Sequence, residues 1–182
     1  MDVNLWIVTG ARGSGKTIFC QEMLQRARLI GWDTAGLLSP AVFNNGIKES
    51  IWAEEIRSGE KRLLAAVHPQ TETDLAFGDW NFNRKSLEWG NRVLRSSIPC
   101  DLLVIDELGP LEFNLSMGWV SAFEVIKTAQ FRLALVVIRP ELIKPALNIF
   151  HPIHTIEMNG LKEMDSRIIQ YIPLFMQTKG TV

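Results

Sequence analysis

The chain has 182 residues, 47% of them hydrophobic, and a net charge of −1 from 19 Lys and Arg against 20 Asp and Glu. That length suits one folded domain with its own core, expected over residues 1–182, and the balanced charge leaves no basic footprint for nucleic acid or an anionic membrane. Two isolated cysteines, Cys20 and Cys100, form no C-x-x-C pair and are expected in the core rather than in a bridge or a metal site.

Residues 3–9 form an apolar run of strand length, too short for a spanning helix and without the charged flank or cleavage site of a signal peptide, so the cytoplasm is the expected compartment. The next eight residues, Gly10-Ala11-Arg12-Gly13-Ser14-Gly15-Lys16-Thr17, fit G-x-x-x-x-G-K-[ST]. Three glycines let the backbone turn tightly, so that successive N–H groups converge on phosphates. Lys16 adds positive charge for the β- and γ-phosphates, and Thr17 offers a hydroxyl to Mg²⁺. The helix expected over residues 15–30 points its positive dipole end at the anion, with Ile18, Met23, Leu24, Ala27 and Ile30 at helical spacing. Arg12 lies within the cradle, facing either a phosphate or solvent.

Residues 33–43 read as extended, with Pro40 at an edge or bulge. Asn44-Asn45-Gly46 signals a tight turn, residues 47–56 return antiparallel, Ser58-Gly59-Glu60 turns again, and residues 61–67 complete a meander. Residues 68–79 read as a loop and 80–82 as a short extended piece. Asn83 can cap a helix to about residue 97. Residues 101–106 and 131–138 are continuous apolar strands. A helix is expected between them from Asn114 or Ser116 to residue 129. A short helix over 141–148, a last strand over 153–157 and a terminal helix over 161–176 complete the pattern. The fold class expected is α/β, a three-layer P-loop sandwich with a mostly parallel sheet and an antiparallel insert near residues 33–67.

Leu102-Leu103-Val104-Ile105-Asp106-Glu107 has the form of a Walker B motif, an apolar strand delivering a carboxylate to the sheet edge where the phosphates sit. Asp106 would then share the metal with Thr17. Glu107, beside the magnesium acid, can orient and deprotonate an attacking water, which favours hydrolysis over phosphoryl transfer. Arg139 ends the 131–138 strand; if that strand neighbours the phosphate-loop strand, the guanidinium reaches the γ-phosphate. Trp52, Trp80 and Trp89 are expected to pack rather than stack a base, and Arg84, Arg92 and Arg95 to form a solvated helix face. His151 and His154, separated by Pro152, have no third ligand in evidence.

Asp106-Glu107-Leu108-Gly109-Pro110-Leu111-Glu112, taken with the Gly10 to Thr17 loop, resembles the small nucleoside-triphosphatase family of thermophiles, represented in animals by the cancer-related nucleoside-triphosphatase. Ser58-Gly59 and Leu64-Ala65 are similar to a Ser-Gly and a Leu-Ala pair of that family. The resemblance implies Mg²⁺-dependent hydrolysis of nucleoside triphosphates (ATP or GTP) with loose base preference, on a RecA-like sheet. Two stretches depart from the family pattern: Leu38-Ser39-Pro40-Ala41-Val42 stands where members carry Thr-x-Glu-x-Arg, and Pro110 replaces a Lys or Arg.

Two other functions fit the same motifs. A small-molecule kinase would use the insert to shape an acceptor pocket. A nucleotide-gated accessory protein in cofactor or metal-centre assembly would dock a partner on the insert through Ile51, Trp52 and Ile56. Sheet order separates hydrolase from kinase: a catalytic acid directly after the Walker B aspartate resembles the branch of P-loop proteins in which another strand separates the phosphate-loop strand from the Walker B strand, and that resemblance implies residues 131–138 as the intervening strand, an order that right-handed crossovers can reach.

Overall fold

The computed structural model describes residues 4–160 apart from residue 73, so the helix expected over 161–176 lies outside the described residues. Among the described residues ten strands form one sheet. Five are parallel: β1 (Leu5–Thr9), β2 (Thr34–Leu38), β8 (Cys100–Leu108), β9 (Phe131–Ile138) and β10 (His154–Glu157), ordered β10-β1-β9-β8-β2. As predicted, β9 lies between β1 and β8, pairing Ile7 with Val136 on one side and Val104 with Leu135 on the other.

Period-two alternation explains why these strands read as unbroken apolar runs. Leu5, Ile7, Leu103, Ile105, Ala134, Val136 and Ile138 point into one core; Trp6, Val8, Leu102, Val104, Leu133, Leu135 and Val137 point into the other. The second core is closed by α1 (Lys16–Leu29) through Phe19, Cys20, Met23, Leu24 and Ala27. The first is closed by α2 (Arg84–Ser96), α4 (Ser121–Thr128) and α5 (Ile143–Phe150). Each fully covered Leu, Ile or Val contributes roughly 1.5–3 kcal/mol relative to an exposed one, so the parallel strands need helices on both faces. The chain therefore forms the three expected layers, and Asn83 caps α2 by accepting from Ser86 N at 3.0 Å.

The other five strands, β3 (Ala41–Asn44), β4 (Ile47–Glu55), β5 (Lys61–Ala66), β6 (Leu75–Phe77) and β7 (Trp80–Phe82), are antiparallel and extend the sheet from the β2 edge. A mostly parallel sheet is thus corrected to a mixed one. Residues 34–38 belong to its parallel half, pairing Gly36 with Val104, and the antiparallel half reaches Phe82. Residues 75–77 were expected in a loop; they pair with β7 across a turn at Gly78-Asp79, too short a strand to show periodicity. Between β8 and β9 there are two helices, α3 (Pro110–Leu115) and α4, instead of one. Pro110 at the first turn begins α3, and Ser116 and Gly118, both at positive φ, end it.

Ile56 is buried in the α1-side core and Ile51 packs on the other, which corrects the docking surface expected of them; Trp52 is half-buried. Trp80 and Trp89 are buried under Lys48 and Arg62. No helix among the described residues is long and apolar enough to cross a membrane.

Candidate active site

β1 delivers the chain to Gly10 at φ 145°, and Gly13 and Gly15 follow at 77° and 94°. A Cβ on Gly10 would lie 2.3 Å from the Met158 carbonyl and 2.6 Å from Ser14 Oγ, so only glycine admits this turn beside the end of β10. The loop leads into α1 at Lys16. Lys16 is buried, its ammonium donating to the carbonyls of Gly10 at 2.8 Å and Ala11 at 2.9 Å. Ser14 Oγ is buried without a hydrogen-bond partner inside the same loop, an orphaned hydroxyl suited to a phosphate oxygen. Arg12 is exposed on the loop and Thr17 half-buried at the start of α1.

At the C-terminal end of β8, Asp106 is 2% exposed. Burial pushes its carboxyl up to about 6, against a hydrogen bond from Thr17 that favours the ionised form; Glu107 adds to the rise, while the Ser39 N–H and Lys16 oppose it. Ser39 N donates to Asp106 Oδ2 at 3.2 Å, and Ser39 Oγ donates to the Asp106 carbonyl. The Thr17 hydroxyl and Asp106 carboxylate are hard oxygen donors already in contact, and a desolvated acid gains most from a cation. This pair fits Mg²⁺, which takes one or two protein oxygens and completes its shell with phosphate and water. Among the described residues no group of three His, Cys, Asp or Glu could hold a metal, so His151 and His154 form no such centre.

Glu107 is joined to Asp106 by a cis peptide bond, and its Oε1 accepts from Arg139 Nε at 2.7 Å. Because β9 lies beside β8, the residue after its last strand position arrives next to the residue after Asp106. Arg139 therefore stands at the same sheet edge as Lys16 and Asp106, where the sequence put it, and is paired to the candidate base. Arg84 and Arg92 are exposed on α2, and Arg95 donates to Ser121 Oγ at 2.5 Å on α4.

Three residues escaped the sequence reading. Glu112 is buried at the start of α3, accepting from Gly109 N at 2.8 Å and Trp119 N at 2.9 Å; burial lifts its carboxyl to about 7 against those two bonds. Its place three residues after Gly109 is a capping-box spacing that could have flagged it. Ser39, inside the stretch that departs from the family pattern, holds Asp106. Lys48, on β4, is half-buried over the Trp80 ring; burial first, then Arg12, pushes its ammonium below its ordinary value, with Arg139 adding to the fall and Glu107 and Asp106 opposing it. No spacing rule points from a strand lysine to a site formed elsewhere in the chain.

A family model described as NTPase matches residues 5–158. This chain belongs to that family. The nucleoside-triphosphatase THEP1 of Methanosarcina barkeri is 31% identical over 121 residues, spanning 65% of this chain and 67% of the relative. The THEP1 of Methanosarcina acetivorans is 30% identical over 121 residues, with the same shares of each chain. Among solved structures, THEP1 from the hyperthermophile Aquifex aeolicus has a TM-score of 0.68 at 17% identity, covering 95% of this chain and 99% of that one. A human cancer-related nucleoside triphosphatase has a TM-score of 0.67 at 20% identity, covering 98% and 100%. At those identities the two structures speak to fold alone, and they support the P-loop α/β arrangement.

Proposed function

We propose that this NTPase-family chain is, as one domain, a Mg²⁺-dependent nucleoside-triphosphate phosphohydrolase that releases diphosphate and phosphate from ATP or GTP. The relatives from Methanosarcina are named nucleoside-triphosphatases, which supports the hydrolysis of nucleoside triphosphates. In this chain the observation that carries it is the placement of Glu107: adjacent to Asp106, paired with Arg139, and at the sheet edge that holds Lys16. The backbone N–H groups of residues 10–17 and the Ser14 hydroxyl bind the phosphates, and Lys16 exchanges its two loop carbonyls for phosphate oxygens. Thr17 and Asp106 would hold Mg²⁺, whose charge when bound offsets that on the β- and γ-phosphate oxygens. Glu107 orients the attacking water and accepts its proton. Arg139 positions the Glu107 carboxylate and lies within reach of the charge that builds as the phosphoryl group transfers. With β9 between β1 and β8, the kinase reading lacks the support that a direct β1–β8 pairing would have lent it.

The test is phosphate release from ATP and GTP with Mg²⁺ and with EDTA, in wild type, Lys16→Ala and Glu107→Gln. Glu107→Gln is expected to bind nucleotide normally and lose about 10²–10⁴-fold in turnover. Lys16→Ala is expected to abolish the thermal shift that nucleotide produces in wild type. Turnover in Glu107→Gln equal to wild type would remove Glu107 as the base.

A further inference from the structure

Glu112 closes the segment between β8 and α4 onto itself. Its Oε2 accepts from Gly109 N at 2.8 Å and its Oε1 from Trp119 N at 2.9 Å, so one buried carboxylate spans both ends of α3. The space it fills is shaped for it: Gly118 has φ 72°, and a Cβ there would lie 2.0 Å from Glu112 Oε1. The Trp119 end of this staple is fixed. Trp119 is 2% exposed and lies against α2, where a Cβ on Gly90 would come within 2.5 Å of its Nε1. Asn91, the next residue of α2, donates to the Gly118 carbonyl at 2.7 Å and accepts from Ser121 N at 2.9 Å.

The Gly109 end is the one that meets the candidate active site. A Cβ on Gly109 would be in ordinary contact with Arg139, 3.6 Å from Nε and 3.8 Å from Cζ, and also 3.8 Å from Glu112 Oε2. Gly109 therefore faces the guanidinium and the carboxylate together. Arg139 Nε in turn donates to Glu107 Oε1 at 2.7 Å. Contacts run from the α2 core through Trp119, Glu112 and Gly109 to Arg139 and the candidate base. Holding α3 in place does not call for a buried acid. Met117 N donates to the Leu111 carbonyl at 2.9 Å, and the Phe113 ring stands edge-on to Phe123 at 5.3 Å and to Phe150 at 6.2 Å. A carboxyl taken out of water costs desolvation that an apolar side chain avoids. What the carboxylate secures beyond the turn is the position of Gly109 against Arg139.

We propose that Glu112 is a positioning residue for hydrolysis: by tying the Gly109 N–H to the Trp119 N–H, it holds the backbone against which Arg139 lies, and so keeps Arg139 on Glu107. This rests on the hydrolase reading of the site. Glu112 touches no reacting atom and gives and takes no proton. Without its acceptor oxygen the buried Gly109 N–H is left unpaired and the backbone shifts to find another partner. Arg139 then loses its backing, and Glu107 with it the orientation toward the attacking water. Misplacing a catalytic group by about 1 Å can cost about 10²-fold, so a small shift of Gly109 is enough to be read in turnover.

The test is a cycle on kcat: wild type, Glu112→Ala, Glu112→Gln, Arg139→Ala, and each Glu112 variant combined with Arg139→Ala. KM for ATP with Mg²⁺, ADP affinity and melting temperature are read alongside, and rates are taken well below each melting temperature and normalised to folded protein. Glu112→Ala and Glu112→Gln are each expected to lose about tenfold in kcat, and no more than Arg139→Ala loses. KM and ADP affinity should stay within about twofold of wild type, because the phosphate loop is untouched. In the Arg139→Ala background the same substitutions should change kcat by less than about twofold. A role confined to stability would lower the melting temperature and leave the cycle additive. The proposal is overturned if the folded Glu112 variants keep kcat within about threefold of wild type, or lose the same factor with Arg139 present and absent. Glu112→Gln carries the cycle alone should Glu112→Ala fail to fold. Turnover in Glu107→Gln equal to wild type would instead bring down the reading of the site on which the proposal rests, so the two failures separate.

Discussion

The two halves of the sheet solve different problems. In the parallel half every residue of β1 and β2 is buried, as are residues 102–106 of β8 and 133–138 of β9, so each strand position is fixed from both sides. In the antiparallel half, three of the four residues of β3 are exposed, and β4 buries one residue, Ala53. The parallel half holds Lys16, Thr17, Asp106, Glu107 and Arg139 where strand ends impose them. The antiparallel half is exposed along the β3–β4 hairpin and buried where β5 adds Leu64 to the core, and at its root Ser39 bonds to Asp106 of the site built by the other half.

A pair of glycine substitutions gives the sharpest contrast. Gly36 in β2 has φ 114°, and a Cβ there would lie 1.9 Å from the Val104 carbonyl oxygen, a backbone atom of the neighbouring strand. Gly46 in the hairpin turn has φ 79° with nothing within 4 Å of such a Cβ. Gly36→Ala is expected to cost more than about 4 kcal/mol, enough to prevent cooperative folding, because strand separation is the only relief. Gly46→Ala has only the left-handed backbone to sustain, about 1–2 kcal/mol. Urea unfolding of both variants checks this; equal costs would mean that the parallel half is no more tightly determined than the insert.

The Glu107–Arg139 pair sharpens the contrast on activity. It is partly exposed, with side-chain accessibilities of 27% and 38%, so breaking it should change stability by less than about 1 kcal/mol. Its effect on turnover should be large and non-additive, since Arg139 acts partly by holding Glu107. Arg139→Ala is expected to lose roughly 10–10²-fold in kcat, and adding it to Glu107→Gln should lose far less than the product of the two single effects. Full multiplicativity in that cycle would show that the two side chains work independently.

The same contrast decides what could be read in the sequence. Continuous apolar runs at 101–106 and 131–138 announced strands covered on both faces, and a strand end is also where side chains reach the sheet edge; the placement of Asp106, Glu107 and Arg139 at that edge was legible for that single reason. The sheet order was reached through the resemblance of the Asp106-Glu107 pair to P-loop proteins with an intervening strand, and the pairing of β9 with both β1 and β8 agrees with it. Leu75–Phe77 was not legible, because three residues next to a polar loop show no period and gain their strand from β7. The bond from Ser39 to Asp106 was not, because it depends on β2 standing at the edge of the parallel strands beside β8. A chain read in order does not show which edge that is. The mostly parallel sheet was overestimated because the hairpins that join the β2 edge through β4 are signalled by turns, not by hydrophobic weight.

Glu112 gives a smaller, pH-resolved effect inside the parallel half. Its folded carboxyl titrates at about 7 against an ordinary 4.5, so the folded state holds the proton more tightly than the unfolded chain. Stability is then fullest below pH 4.5 and falls as pH rises to about 7, by about 3 kcal/mol in all. Asp106, raised from 3.8 to about 6, adds a fall of the same sign that is complete near pH 6. Between pH 6 and 7 the slope should therefore belong to Glu112, and Glu112→Gln should flatten it. The amide can accept from only one of the Gly109 and Trp119 N–H groups and turns a donor on the other, at a cost of about 1–3 kcal/mol. Unfolding free energies at pH 6 and 7 test this, and an unchanged slope in the variant would assign the proton elsewhere.

The smallest effect is expected at the tip of the insert, where Phe43 is 62% exposed and Ile47 73%. Burying either side chain would contribute roughly 1.5–3 kcal/mol, so their exposure predicts that removing both costs almost nothing. Phe43→Ser with Ile47→Ser should unfold within about 0.5 kcal/mol of wild type, whereas Ile105→Ala, fully buried in β8, should lose about 2–5 kcal/mol. The comparison holds only if the tip stands free in solution. A loss above about 1 kcal/mol in the double variant would mean that the tip is covered, and melting temperatures that rise with protein concentration in wild type but not in the variant would identify a second copy of the chain as the cover. In that case the hairpin would have a packing role of its own, and the contrast between the two halves would fail there.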